Sequence, residues 1–173
     1  LVVVALMLWG VYGGARYEWA WEVLPGVDFL LRVDALAMLF VTLSGALWLL
    51  TTIYAIGYLA GSKDQGRFFG FFCLCVASTV GIALAGNLFT LLIFYELLTL
   101  STYPLVVHRG DRESLAAGVI YLRYTLTGGA LVLAGTAWLH VVAGPVQFAA
   151  EGGALGHVGP DQADTLILIF MLL

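Results

Sequence analysis

The sequence predicts an all-α fold: a polytopic transmembrane helix bundle of about five complete helices plus one truncated helix. The 173 residues are 62% hydrophobic and 10% charged, with a mean hydropathy of +1.01, whereas a soluble domain carries about 25% charged residues. Three segments, Ala35 to Ser62, Phe68 to Tyr95 and Tyr124 to Ala150, contain no Asp, Glu, Lys or Arg. Each exceeds the ~20 residues a helix needs to cross ~30 Å of hydrocarbon. A membrane barrel would instead alternate over strands of about 10 residues, a pattern the segments lack.

Helix 1 is expected at about 1–13 and is followed by a loop containing Gly13-Gly14, Pro25-Gly26 and mixed charges. Helix 2 is expected at 31–59, opened by Arg32 and by Asp34, whose charge suits the positive end of the helix dipole. A polar turn, Ala60 to Arg67, closes it. The next 40 residues, Phe68 to Val107, would form a helix of about 60 Å, twice the bilayer, so the chain must reverse within them. Gly86-Asn87 is the turn signal there and divides the run into helix 3 (68–85) and helix 4 (88–107). The loop His108 to Ser114 precedes helix 5 (115–143), with Ser114 positioned to cap it. A Gly-rich segment, Gly144 to Asp164, leads to an apolar run at 164–173, less than half a span and so expected to be a truncated helix 6. The absence of an initiator Met and of a basic leader at Leu1 suggests a piece of a longer chain.

Alternating the helices places Lys63, Arg67, Arg109 and Arg112 on one side and Arg16 and Arg32 on the other, which favours the first side as cytoplasmic. Trp48, Trp138 and Tyr58 suit either interfacial anchoring or packing. The net charge of −4, with 7 Lys+Arg, leaves no basic patch for nucleic acid. Cys73 and Cys75, at i,i+2 on a helix, point in different directions, which argues against a disulfide or paired metal ligation.

Glu96 is the only charged residue between Phe68 and Val107. It lies about 12 Å into helix 4, close to the bilayer midplane. An ionised carboxylate there costs several kcal/mol, which makes it a functional candidate for proton translocation. Thr99 at i+3 and Tyr103 at i+7 share nearly the same face and extend a polar stripe toward the cytoplasmic end. Pro104 cannot donate to the carbonyl of Leu100, leaving that oxygen for water or another helix. Desolvation penalises the charged carboxylate, a condition under which such a group exchanges protons. The alternative is a permanently protonated Glu96 hydrogen-bonded across a helix interface.

Arg123 is the second charge at depth, about 12 Å into helix 5. It either approaches Glu96, tuning a proton relay without deprotonating itself, or snorkels to the headgroups. Gly128-Gly129 with Ala130 and Ala134 forms a small-residue surface for close helix approach, read as packing. His108, His140 and His157 share no metal-ligand spacing and read as capping or surface residues. No phosphate-binding, dinucleotide, haem-attachment or catalytic-triad motif is present, so neither cofactor nor enzymatic chemistry is expected from these residues.

Three segments carry a family resemblance: Arg32-Val-Asp-Ala-Leu-Ala-Met-Leu-Phe40, Ile53-Tyr-Ala-Ile-Gly-Tyr-Leu59 and Asn87 to Leu105, with Phe94-Tyr-Glu-Leu-Leu-Thr-Leu100 the most specific. They resemble the antiporter-like proton-translocating subunits, a family that includes membrane-arm subunits of complex I (NADH:quinone oxidoreductase), membrane-bound hydrogenases and Mrp-type cation/proton antiporters, the D-type Mrp component in particular. The resemblance implies a fragment of an inverted-repeat antiporter-like fold, with Glu96 as the family's essential glutamate. It implies a partner lysine on a later helix, expected just past Leu173, since Lys63 lies in a loop. It also implies other membrane subunits as partners, H⁺ and possibly Na⁺ as the transported ions, and a bacterial inner membrane. Arg123 is not a hallmark of that family. Two other readings stand beside it: a proton-pumping subunit of a redox complex, for which the chain holds no flavin, iron–sulfur or quinone ligands, and a structural scaffold that uses Glu96 for packing alone.

Overall fold

The computed structural model describes residues 2–144, 146–148 and 163–172. The elements are α1 (Val2–Tyr12), β1 (Tyr17–Leu24), β2 (Val27–Val33), α2 (Ala35–Tyr58), α3 (Gln65–Ala83), α4 (Leu88–Val106), α5 (Arg112–Ala143) and α6 (Ala163–Leu172). Helices α2 to α5 are each long and apolar enough to cross a membrane. The chain is an integral, multi-pass membrane protein, and its exposed α2 face of Leu36, Leu39, Leu43, Leu47 and Leu50 is what hydrocarbon accepts.

The hairpin departs from the sequence expectation. Residues between helices 1 and 2 read as a loop, with helix 2 starting near Leu31. Instead β1 and β2 pair antiparallel, with Trp19 opposite Leu31 and Trp21 opposite Phe29. The cause is local: Tyr17-Glu-Trp-Ala-Trp-Glu-Val23 alternates with period two, and Gly26 takes the positive φ of 80° that the tight turn requires. Because residues 31–33 are committed to strand pairing, α2 begins only after Asp34, whose side chain accepts from the Ala37 N–H at 2.7 Å.

The main chain continues this pairing beyond the hairpin. The Arg32 N–H donates to the Leu84 carbonyl (2.7 Å), the Gly86 N–H to that of Leu30 (2.8 Å), and the Phe148 N–H to that of Gly86 (2.8 Å). Thus the hairpin, the α3–α4 turn and residues 147–148 lie at one end of the bundle. Arg32 reinforces the seam through its ion pair with Glu18 (3.4 Å) and hydrogen bonds to Gln147 Oε1 and the Phe148 carbonyl. At the opposite end, the Arg67 guanidinium donates to the His108 carbonyl (3.2 Å), joining the first turn of α3 to the α4–α5 loop.

Helix α4 sits between α3 and α5. On the α3 side, Phe94 covers Gly81 and meets Phe29 of the hairpin, ring centroids 5.6 Å apart. Cys75 Sγ lies 3.5 Å from Thr102 Oγ1, while Cys73 faces outward; both cysteines are free. Trp48 packs edge-on against Phe72 at 4.6 Å, a core contact, whereas Tyr58 stacks on Tyr54 at the exposed end of α2.

Helix α5 is capped by Asp111, not Ser114. The Ser114 N–H donates to Asp111 Oδ1 (2.7 Å), so helix 5 starts at Arg112, three residues ahead of the expected position. A carboxylate accepts this bond with its full charge at the positive helix end, where the serine hydroxyl instead donates to the Asp111 carbonyl. The Ser114 N–H, then the Ser114 side chain and Arg109, hold the Asp111 carboxyl below its usual range.

Candidate functional site

The site begins with how α4 is anchored. Asn87 Oδ1 accepts from the Thr90 N–H (2.8 Å), capping the helix, while Asn87 Nδ2 donates to the Asp28 carbonyl (2.7 Å). One turn further on, Thr90 Oγ1 accepts from the Leu30 N–H (2.8 Å). Thr90 is fully buried and Asn87 nearly so. The hairpin thereby fixes the start of α4, and Glu96 follows about 12 Å along the helix.

From α4 the Glu96 carboxylate is directed at α5, where it rests on the backbone of Gly129. A methyl group at Gly129 would overlap Oε1 of Glu96 and lie 2.9 Å from its Cδ. Gly118 plays the matching part three turns away: a methyl group there would overlap Val107 and stand 3.0 Å from Cε2 of Tyr103. Glu96 and Val107 are eleven residues apart, as are Gly118 and Gly129, so the two helices run antiparallel in a single register. At both points a bulky side chain from the α4 side meets a glycine of α5.

Thr99 and Tyr103 are placed differently. Tyr103 is half-buried against Gly118, on the α5-facing side with Glu96. Thr99 is buried at 4% exposure. The neighbouring buried hydroxyls are occupied: Ser78 donates to the Leu74 carbonyl, Ser101 to that of Leu97, and Thr90 accepts from Leu30. Thr99 stands one turn after Glu96 on the same helix.

Arg123 does not approach Glu96. It occupies the exposed face of α5, six residues before Gly129 and therefore about 120° around the helix from the Glu96 contact. Among the described residues, no hydrogen bond or ion pair reaches the Glu96 carboxylate, which is half-buried. Within the small-residue surface read from sequence as packing, Gly129, and not Gly128, is thus where the Glu96 carboxylate docks. Its signal was the equal spacing of the two glycines and their α4 partners, which becomes legible only when α4 is known to face α5.

The histidines lie apart from this seam. The His108 ring packs against Phe68 at 5.3 Å, with its Nδ1 buried and unpartnered among the described residues. His140 lines a cavity of about 50 Å³ with Asp28, Asn87, Thr136 and Gln147. His157 lies outside the described residues.

Comparison with known proteins fits this architecture. Residues 85–173 match the family described as "NADH:quinone oxidoreductase/Mrp antiporter, TM", and residues 25–69 match "NADH-Ubiquinone oxidoreductase (complex I), chain 5 N-terminus". The chain belongs to the NADH:quinone oxidoreductase/Mrp antiporter family. Among family members it is 30% identical over 155 residues to the mnhD2 antiporter subunit of Staphylococcus epidermidis, covering 88% of this chain and 30% of that protein. It is 31% identical over 183 residues to the A/B component of a K(+)/H(+) antiporter of Rhizobium meliloti, covering 99% of this chain and 18% of the relative. Its fold is similar to a chain of the Mrp complex from Dietzia sp. DQ12-45-1b, with a TM-score of 0.78 at 21% identity, covering 98% of this chain and 19% of that one. The chain therefore spans less than a third of the length of these relatives.

Proposed function

We propose that this chain is part of a proton-translocating subunit of a Mrp-type monovalent cation/proton antiporter in a bacterial inner membrane, with Glu96 as the group that takes up and releases the proton. The observation that carries this is the lone carboxylate of α4, held against the α5 backbone with no arginine or lysine of the described residues paired to it. A carboxylate used only to tie helices together would need a donor across the interface. Thr99 and Tyr103 extend the polar face from Glu96 toward the end of α4 that carries Arg67 and Arg109, the cytoplasmic end by its excess of basic residues.

Relatives named as the mnhD2, A/B and A1 components of antiporters favour an antiporter over a redox-driven pump, and agree with partners among the other membrane subunits of such an assembly. The D-type Mrp component is the assignment we favour. Whether Na⁺ accompanies H⁺ follows from the ion dependence of transport.

The test is proton movement in inverted vesicles carrying the full-length protein in its complex, wild type against Glu96→Gln, with and without Na⁺. Glutamine keeps the shape and loses only the ability to ionise. Loss of transport with normal assembly is expected; undiminished transport by Glu96→Gln would refute the assignment.

A further inference from the structure

The geometry points to Gly129 as the positioning residue of the proton site: its bare backbone is the seat that holds the Glu96 carboxylate between α4 and α5. This rests on the proposed role of Glu96 and specifies what aims that side chain.

The steric argument is specific to one glycine of a pair. A methyl group on Gly129 would overlap Oε1 of Glu96, whereas one on Gly128 would meet nothing within 4 Å. Gly129 is buried and Gly128 only partly so. Helix propensity cannot account for glycine at these positions, since each glycine inside a helix costs about 1 kcal/mol relative to alanine. At Gly129 that cost secures a close approach. A glycine seat also exposes the flank of the α5 backbone to the carboxylate, in a segment where the Thr125 hydroxyl bonds to the Tyr121 carbonyl and that of Thr127 to the Arg123 carbonyl.

The other groups facing Glu96 make the seat decisive. From α5 the contact is Gly129 itself, and Arg123 faces away. On α4 the polar neighbours are Thr99 and Tyr103, both uncharged side chains. No charged group of the described residues fixes the direction of the carboxylate, so shape does. Displacing it by an ångström misaligns it with any proton donor or acceptor along the route, and misplacements of that size cost up to ~100-fold in reactions that depend on alignment.

The experiment uses the full-length protein in its complex, with transport and its pH profile read in inverted vesicles. Gly129→Ala is expected to lower transport at least about tenfold and to shift the pH midpoint, while Gly128→Ala leaves both unchanged. Combining Gly129→Ala with Glu96→Asp, which withdraws the carboxylate by one methylene, is expected to restore transport relative to Gly129→Ala alone. Thermal stability separates seating from general packing: the added methyl meets the far end of a flexible side chain that can turn aside, so Gly129→Ala should lower the melting temperature only slightly in the wild-type complex and not at all in the Glu96→Ala complex, where the clash is gone. Equal effects at the two glycines, or the same destabilisation in both Glu96 backgrounds, would overturn the assignment of Gly129. Full transport by Glu96→Gln would instead overturn the proton-site reading, and the stability cycle would still report whether Gly129 seats the side chain.

Discussion

The carboxylate of Glu96 lies on the backbone of Gly129, and no smaller residue exists that could make the space. This contact turns an apolar helix crossing into a place where an ionisable group is held at depth. The same close approach accounts for Gly118 and Gly129 among the buried residues of α5: the α4 side brings the bulk and α5 yields the room.

Thr99 is expected to contribute through its buried hydroxyl. Thr99→Val keeps the volume and removes the hydroxyl, and should lower transport about tenfold with the amount of assembled complex unchanged. That ratio corresponds to ~1.4 kcal/mol, the scale of a single hydrogen bond to a charged group. Thr99→Ser should retain most of the activity. Transport by Thr99→Val equal to wild type would remove the hydroxyl from the route.

Asn87 joins α4 to the hairpin with both ends of its amide. Asn87→Ala should destabilise the protein by about 1–2 kcal/mol through the lost cap, with a further loss from the bond to Asp28. Asn87→Asp keeps the acceptor and loses the donor, so its melting temperature in detergent should fall between those of wild type and Asn87→Ala. Identical melting of all three would show that neither bond contributes.

Asp111 gives the α4–α5 loop a pH dependence of known sign. Its carboxyl sits below the usual range because the Ser114 N–H binds the ionised form. The stabilisation is therefore complete above the unfolded value near 3.8 and is lost as pH falls through the lower folded value. Asp111→Asn should keep a cap and abolish this acid-side slope; Asp111→Ala should lose both. Amide exchange of the first turn of α5 across a range of about pH 2–5 reads the difference, and an unchanged slope in Asp111→Asn would assign it to another group.

The helices were legible from hydropathy because a run of twenty apolar residues has few other uses, and Glu96 was legible because a lone charge in such a run has a cost. The hairpin was not read, although Tyr17 to Val23 alternates. Charges at Glu18 and Glu22 and the Pro25-Gly26 turn suggested an open loop, and the pairing of β2 with residues 84–86 is a tertiary fact. Ser114 was read as the cap of helix 5, but Asp111 three residues earlier is an equally good cap, and only the backbone trajectory out of Gly110 decides between them. Arg123 was given a depth but its facing stayed open between Glu96 and the headgroups, since depth follows from counting and facing requires knowing which neighbour α5 meets.

Beside the bonds of the Arg32 side chain, the three links of Arg32 to Leu84, Leu30 to Gly86 and Gly86 to Phe148 are made by main-chain donors and acceptors. These three links are nearly indifferent to side-chain identity. Related chains are free to drift in sequence along this rim while keeping the helix ends in register, provided that no proline enters at the three donor positions and nothing larger than hydrogen replaces the side chain of Gly86 beneath Leu30. Sequence variation along this edge therefore leaves the Glu96 contact untouched, whereas a single added carbon at Gly129 meets the carboxylate itself.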